Sequence, residues 1–149
     1  GNAFLTRDTI RGERFHYFTH GIKRLVIELE LDHLVIFLVH LSLHFRHRHH
    51  QLRDLCALVK RVKKPCMVAG DFNALWGTHE LELFTEATRL KNASPVETPS
   101  YPSWAPRRQL DFILHSEAIR ISHFQVPRVV YSDHLPLICD FEIRSERPA

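Results

Sequence analysis

The stretch CMVAGDFNALWG, residues 66–77, decides the fold because an apolar strand runs directly into polar residues. Four apolar or small residues lead to Gly70, and Asp71 and Asn73 then flank Phe72. Gly, Asp and Asn all favour turns, so a simple turn is one interpretation. A catalytic loop at the end of a strand is the other, and the remainder of the chain has to distinguish them.

Composition bounds the class of protein. The 149 residues suit a single domain with a substantial core, and the net charge of +3 permits an anionic substrate without being a nucleic-acid signature. The three cysteines show no CxxC spacing, which argues against a disulfide framework and a thiolate zinc site and favours a reducing, cytoplasmic location. The N-terminal residues do not resemble a signal peptide, and the longest apolar run, LVIFLV, is too short to span a bilayer.

Hydrophobic periodicity predicts the first strands. ERFHYFTH and RLVIELEL alternate with period two on either side of Gly21 and predict an antiparallel hairpin. HLVIFLVHL is apolar without a break from residue 34 to 39, which is typical of a central strand covered on both faces. CMVAG predicts a second strand of this buried kind.

The period changes to that of a helix from about Arg46 to Lys63, with Pro65 beyond it. A second helix is predicted after Thr78, a plausible N-cap, and carries apolar residues as far as Leu90. The four-proline segment 94–108 predicts a long loop, and LDFILH, RISHFQV and LPLICDFEI predict three more strands. This succession of strands and helices predicts an α/β fold.

Polar residues recur where the apolar strands stop or start, which is where layered α/β folds form ligand sites. The set consists of His40, Asp71, Asn73, Asp111, Asp133 and His134. Hydrolysis of a phosphate ester needs carboxylates for a divalent cation, donors for the phosphoryl oxygens, and an acid or base. These residue types supply all three, and an oxygen-rich set without thiolates suits Mg²⁺ or Mn²⁺ better than Zn²⁺.

Three motifs occur in a telling order: VAGDFN at 68–73, PSYPSW.P..QLDFIL at 99–114 and SDHLPL at 132–137. Together they resemble the endonuclease/exonuclease/phosphatase superfamily, which includes deoxyribonuclease I, abasic-site endonucleases, neutral sphingomyelinases and inositol-polyphosphate phosphatases. The resemblance implies a four-layer α/β sandwich of two mixed β-sheets flanked by helices. It also implies a phosphoric ester hydrolase that uses Mg²⁺ or Mn²⁺ and acts on nucleic acid, a phospholipid or a small phosphoester.

The resemblance implies a role for each motif residue. Asp71 would orient or deprotonate the attacking water, or protonate the leaving oxygen, and Asn73 would hold a phosphate oxygen. Asp111 would orient the imidazole of His134, which would contact the scissile phosphate. Asp133 would lie on the metal side, so Asp133 and Asp71 are the candidate metal ligands.

Two further residues are candidates for substrate binding. His40 matches a histidine of the deoxyribonuclease and sphingomyelinase-like branches and would bond the phosphate or the leaving group. The alternative for His40 is a satisfied histidine within a buried strand. Trp104, like Tyr101 and Trp76, would either stack on a base or sugar or anchor its loop by packing.

The resemblance also indicates what the chain lacks. Family members begin with a strand carrying an Asn and a motif whose Glu is the main metal ligand, and GNAFLTR resembles a segment downstream of both. Residues 1–149 are therefore expected to form a single, N-terminally incomplete domain with an exposed sheet edge that allows self-association. Glu28 and Glu30 are expected on the wetter face of the hairpin, not as replacement ligands. The competing hypothesis is a catalytically inactive fragment or binding domain that keeps the fold.

Two local alternatives stay open at this point. Asp111 can be a strand-end carboxylate paired with Arg107 or Arg108. HFRHRHH, residues 44–50, is either a histidine metal site or a basic, solvated helix start. The absence of a nearby carboxylate or cysteine in the sequence favours the helix start.

Overall fold

A computed structural model describes residues 2–21, 24–75 and 79–144. The predicted N-cap Thr78 and the aromatic candidate Trp76 lie outside these ranges. The described chain forms the strands β1 (Gly12–Tyr17), β2 (Leu25–Glu30), β3 (Val35–His40), β4 (Cys66–Asp71), β5 (Lys91–Asn92), β6 (Asp111–His115), β7 (Ile119–Gln125) and β8 (Ile138–Ile143), and the helices α1 (Phe45–Arg61) and α2 (His79–Thr88).

Six strands form one mixed sheet in the order β1-β2-β3-β4-β6-β5. The predicted hairpin is confirmed, because β1 and β2 pair antiparallel from Gly12 opposite Glu30 to Tyr17 opposite Leu25. β3 lies between β2 and β4, which confirms the central position predicted from its unbroken apolar run. The β3–β4 pair is parallel and the other pairs are antiparallel.

The two helices cover one face of this sheet. The apolar stripe predicted for α1 is confirmed, with Leu52, Leu55 and Val59 buried in the main core beside Phe37 and Val68 of the sheet. α1 ends at Arg61, where the C-cap residue has an extended backbone, so the helix stops before it reaches the proline that follows. The helical layer thus rests on the residues that face one way from the central strands.

The strands β7 and β8 form a second, two-stranded antiparallel sheet on the opposite face. Ile119 of β7 packs there in a second apolar cluster with Leu31, Leu34 and Met67. Helices, six-stranded sheet and second sheet are stacked in layers, and the predicted α/β class with two sheets is confirmed. Neither helix of the described chain combines the length and apolar composition that a membrane crossing requires.

Several boundaries differ from the sequence-based prediction. β8 begins at Ile138, because Pro136 has no N–H to donate to a ladder. α2 ends before Leu90, since Arg89 has φ 59°, the left-handed conformation that often terminates a helix. The short strand β5, which pairs with β6, was not predicted, since two exposed polar residues carry no periodic signal.

The prediction of a solvated basic start for α1 is wrong at Arg48. Its side chain is only 1% exposed and forms an ion pair with Glu80 of α2 at 2.7 Å. The guanidinium points into the helix–helix contact because it finds a carboxylate and two backbone carbonyls there. A buried charge of this kind is tolerated only when it is fully paired.

Candidate active site

Three polar residues stand in one row at the same end of the six-stranded sheet. His40 ends β3, Asp71 ends β4 and Asp111 begins β6. His40 is the register partner of Asp71 across the parallel pair, and Asp71 is the register partner of Asp111 across the antiparallel pair. The buried strands between them fix the spacing of the three side chains.

The backbone around Asp71 has a demanding geometry. Gly70 has φ 139°, and a Cβ atom at this position would lie 2.0 Å from the carbonyl oxygen of Val39. Asn73 also has a positive φ, 51°, and its N–H donates to Asp71 Oδ1 at 2.8 Å. The segment after β4 therefore has the backbone of a tight turn at the end of a strand, and its catalytic role stays a prediction.

The Asn73 side chain is anchored rather than free. The residue is 4% exposed, and its Nδ2 donates to the carbonyl oxygen of Leu41 at 2.9 Å. The Leu41 N–H donates in turn to the Asp71 carbonyl oxygen at 2.9 Å. Phe72, 1% exposed, packs in the core beside Phe112. The loop after β4 is thus fixed on both sides, by the core and by the segment after β3.

Asp111 has two short side-chain hydrogen bonds. Its Oδ2 atom lies 2.6 Å from His134 Nδ1 and accepts a second hydrogen bond, also of 2.6 Å, from Ser100 Oγ. The alternative pairing of Asp111 with an arginine is wrong: Arg108 donates instead to the carbonyl oxygen of Leu75. Because Asp111 occupies Nδ1 of the imidazole, Nε2 is the ring nitrogen left to contact a ligand.

The environment shifts the protonation of His134 upward. Burial lowers its pKa, but the hydrogen bond that Nδ1–H donates to Asp111 and the charges of Asp111, Asp71 and Asp133 raise it, and the net pKa is higher than usual. The Tyr101 ring lies against the imidazole at a centroid distance of 4.9 Å. The carboxylates around the ring therefore orient the imidazole and favour its protonated form.

The pKa of Asp71 is also raised, but for a different reason. Burial raises its pKa to about 6, and the neighbouring charge of Asp111 adds to the rise, while the N–H of Asn73 opposes it. His40 Nε2 lies 3.4 Å from Asp71 Oδ2. Burial and the charge of Arg24 lower the pKa of His40, so this contact is made by a neutral imidazole and is not an ion pair.

These side chains face a cleft of about 440 Å³. It is lined by His40, Leu43, Asp71, Asn73, Leu75, Tyr101, Leu110, Asp111, Asp133 and His134. All the predicted site residues except Trp104 therefore lie on one concave surface. Trp104 is 68% exposed, and within the described residues it is not part of this lining.

Asp133 belongs to the cleft through its loop. Its carbonyl oxygen accepts the Ser103 N–H at 2.8 Å, and its Oδ1 accepts the Ser132 hydroxyl at 3.0 Å. The 100–108 loop and the SDH loop are thus joined directly. This contact brings two segments that are distant in sequence to the same rim.

The sequence analysis did not indicate one site residue, Ser100, which is completely buried and donates to Asp111. Tyr101, expected to stack on a ligand or to pack in its loop, packs on His134. Both residues lie in a proline-rich loop without periodicity, so no pattern indicates which side chains turn inward. Their position in the PSYPSW motif was the available signal.

The site fits a divalent cation only in part. Asp71, Asp111 and Asp133 offer hard oxygen donors of the kind that Mg²⁺ prefers. Among residues 2–21, 24–75 and 79–144, however, no group of three or more His, Cys, Asp or Glu is arranged to hold an ion. Glu28 and Glu30 do not complete it, since they bind Arg14 and Lys64, respectively, in ion pairs elsewhere on the sheet.

The histidines at the start of α1 form ring contacts. His20 stacks on His50 at a centroid distance of 4.1 Å, and His44 lies 4.7 Å from His47. The described part of the chain has no metal-binding group there either.

Comparison with known proteins gives the same family from sequence and from structure. The model of the Endonuclease/Exonuclease/phosphatase family matches residues 1–134. A UPF0294 protein of Vibrio vulnificus is 32% identical over 101 residues, covering 65% of this chain and 34% of the relative. A UPF0294 protein of Photorhabdus laumondii is 35% identical over 92 residues, covering 61% of this chain and 35% of the relative. The chain spans about a third of the length of these curated relatives.

Solved structures share the architecture. The catalytic domain of human Nocturnin, with bound sulfate, superposes with a TM-score of 0.70 at 25% identity, covering 94% of this chain and 62% of that one. A mannosyl-6-phosphatase of Bacteroides thetaiotaomicron superposes with a TM-score of 0.71 at 14% identity, covering 91% of this chain and 67% of that one. By its motifs, its fold and the match over residues 1–134, this chain belongs to the endonuclease/exonuclease/phosphatase family.

Proposed function

We propose that the cleft hydrolyses phosphate esters by attack of an activated water on phosphorus. Members of the family are hydrolases of phosphate esters. The observation that carries the proposal is the convergence of Asp71 and the Asp111–His134 pair on one cleft, with the pKa of Asp71 raised to about 6. A carboxyl group with such a pKa is ionised at neutral pH and still basic enough to accept a proton.

Asp71 is assigned the role of general base. Its Oδ1 accepts the Asn73 N–H, which holds the carboxylate in place, and its Oδ2, which lies 3.4 Å from His40 Nε2, keeps a lone pair for a water molecule. His134 is assigned to a phosphate oxygen through Nε2, where an imidazolium stabilises the charge that develops in the transition state. Asp111 fixes the ring and its tautomer from the other side.

Asn73 and His40 are assigned to substrate binding. The Asn73 amide has two N–H groups, and only one of them is needed for the carbonyl oxygen of Leu41. The second is a donor for a phosphate oxygen. His40, neutral and half-buried, carries one N–H, which faces Asp71 Oδ2 at 3.4 Å and would turn to the phosphate or the leaving group when substrate binds. Trp104 is exposed on the adjoining loop, where it is available to an extended substrate.

Mg²⁺ or Mn²⁺ dependence is part of the proposal, with Asp133 and Asp71 as the ligands that this chain offers. Family enzymes generally use divalent metals. The ion, when bound, supplies a Lewis acid for the phosphoryl oxygens. Because the described carboxylates do not by themselves enclose an ion, no step of the mechanism above depends on it.

A second candidate function is supported by that incomplete cation group. A domain that keeps the cleft but holds no metal would bind phosphate esters without cleaving them. The proposed ligand classes are the same in both cases: nucleic acid, a phospholipid head group or a small phosphoester. The cleft of about 440 Å³ has the size of a small-ligand site.

Turnover of bis-p-nitrophenyl phosphate with Mg²⁺ or Mn²⁺ separates the two functions. Hydrolysis by the protein should fall at least 100-fold in His134→Ala and stay unchanged in His123→Ala, the same change at an exposed position of β7. Thermal stabilisation by inorganic phosphate without any turnover would instead support the binding domain. Equal turnover in His134→Ala and the unaltered protein would contradict the catalytic assignment.

Two further expectations stay predictions. The cytoplasmic location is predicted from the three cysteines, which are free thiols. Burial raises the pKa of the Cys66 thiol to about 11, which keeps it in the thiol form. Self-association is expected at β1, which has one partner strand in the described sheet and exposes Phe15 and Tyr17 by 50% and 74%. Sedimentation that detects only monomer would contradict the second expectation.

A further inference from the structure

Two buried side chains of α1 hold the segment that follows His40. The Ser42 N–H donates to Gln51 Oε1 at 2.8 Å. Arg48 Nη1 donates to the carbonyl oxygens of Ser42 and Leu43 at 3.1 and 3.0 Å. Arg48 is 1% exposed and Gln51 is fully buried. Residues 41–44 are thus bound to the helix through backbone groups that a change of sequence within the segment would leave in place.

Both side chains are themselves held by other parts of the chain. Arg48 Nε and Nη2 each lie 2.7 Å from Glu80 Oε2 at the start of α2. Gln51 Nε2 donates to the His20 carbonyl oxygen at 2.7 Å. The planar guanidinium therefore uses three nitrogens for one carboxylate and two carbonyl groups, an arrangement that a single ammonium group does not reproduce.

The same segment touches the candidate active site at three points. It begins next to His40, its Leu41 carbonyl oxygen accepts the Asn73 amide, and Leu43 lines the cleft. The position of Asn73 thus depends directly on where residues 41–44 lie, and His40, whose backbone is held by the β3–β4 pairing, is affected as the residue that precedes the segment.

We propose that Arg48 and Gln51 are positioning residues: they fix residues 41–44 on α1, and through this segment they set the placement of His40 and Asn73. The inference rests on the proposed function for its effect on hydrolysis. Neither side chain is assigned a contact with substrate. Glu80 acts indirectly, because its ion pair holds Arg48 in place. An ion pair that served only to join α1 to α2 would not need the two carbonyl contacts of Nη1.

Three variants and one control test the proposal. Arg48→Lys keeps a cation for Glu80 but loses the forked contacts, and Gln51→Met removes the amide at similar volume. The double variant Arg48→Met with Glu80→Leu removes the ion pair without leaving a buried charge unpaired, which protects the fold. Arg61→Lys, at an exposed position of the same helix, is the matched control.

The readouts are amide hydrogen exchange at Ser42 and the kinetics of bis-p-nitrophenyl phosphate hydrolysis. All three variants should exchange the Ser42 amide at least tenfold faster than the unaltered protein and Arg61→Lys. KM should rise at least fivefold, because phosphate-binding groups are displaced. The kcat should change less than KM, since Asp71 itself belongs to β4.

The outcomes distinguish this inference from the proposed function. Unchanged exchange at Ser42 in folded Arg48→Lys and in the double variant would overturn it, as would faster exchange with unchanged KM. If the unaltered protein hydrolyses no ester, the proposed function fails while the positioning stays testable. In that case, shifted nuclear magnetic resonance signals of the Asn73 amide and His40 imidazole in Arg48→Lys support the positioning, and unshifted signals overturn it.

Discussion

The two ends of the six-stranded sheet carry the same residue types in opposite environments. Where β3 and β4 end, Asp71 has a side chain 16% exposed, and burial raises its pKa to about 6. Where β3 begins, Asp32 has a side chain 52% exposed, and a hydrogen bond from Arg11 lowers its pKa. One aspartate is a buried carboxyl group with a raised pKa and the other a solvated ion-pair partner. Burial, and not residue type, distinguishes the end of the sheet at which we propose the function.

The largest effect on hydrolysis is expected when the imidazole of His134 loses its orientation. Asp111→Asn should reduce hydrolysis about 100- to 10,000-fold, because the amide cannot hold the imidazole in the same tautomer or stabilise its charge. The pKa of His134 should fall at the same time, which a nuclear magnetic resonance titration of the imidazole measures. Asp32→Asn at the other end should leave the rate unaltered. A His134 titration that does not move in Asp111→Asn contradicts the assigned pair.

Alanine substitution at two glycines compares the backbone at the two ends. Gly70→Ala should lower the free energy of unfolding by about 3 kcal/mol or more, because its Cβ would clash with the Val39 carbonyl and φ is positive. Gly12→Ala should cost less than about 1 kcal/mol, since the nearest atoms to its Cβ lie 3.7 Å away, an ordinary contact. Urea unfolding measures both, and equal losses would refute the strain assigned to the β4 loop.

The pH dependence of stability should have opposite signs for the two aspartates. The raised pKa of Asp71 means that the folded state holds a proton which the unfolded state has lost between about pH 4 and pH 6. Its contribution to stability is full at low pH and disappears as pH rises through about 6. Asp71→Asn should therefore be as stable as the unaltered protein near pH 4 and more stable at pH 7, by about 3 kcal/mol at most.

Asp32 supplies the control for that sign. Its lowered pKa gives a contribution that is present at neutral pH and disappears as pH falls through the folded-state pKa. Asp32→Asn should thus lose a small amount of stability at pH 7 relative to pH 3, opposite in sign to the change in Asp71→Asn and much smaller, because the pair with Arg11 is exposed. Unfolding curves collected from pH 3 to pH 7 test both, and a common sign would contradict the comparison.

The smallest effect is expected for the exposed ion pairs. Arg11→Gln should leave both hydrolysis and the urea midpoint nearly unchanged, because its pair with Asp32 is screened by solvent and salt. If the urea midpoint of Arg11→Gln drops by as much as that of Gly70→Ala, the ion pairs at the end where β3 begins contribute substantially to stability.

The sequence predicted the fold where periodicity is strong. The alternation around β2 and the unbroken apolar run of β3 determine a hairpin beside a central strand, and the polar residues that end such strands are visible directly. That Asp71 and Asp111 meet follows from strand pairing. These features are local patterns combined with a simple rule about strand ends.

Other features depend on tertiary contacts that no local pattern encodes. Ser100 lies in a loop without hydrophobic periodicity, so the sequence does not indicate that its side chain points inward and donates to Asp111. Arg48 lies among basic residues that indicate solvent exposure, yet Glu80, 32 residues away in the chain, makes its burial possible. A partner distant in sequence reverses the local preference in each case.

The central claim is that Asp71 activates water for phosphate-ester hydrolysis in this cleft. The most direct measurement is kcat/KM for bis-p-nitrophenyl phosphate against pH, for the protein and for Asp71→Asn, with Mg²⁺ or Mn²⁺ present. We expect an acid limb in this pH profile that is lost in Asp71→Asn, together with a fall in rate of about 100- to 10,000-fold. Equal rates with the same pH profile in both proteins would contradict it.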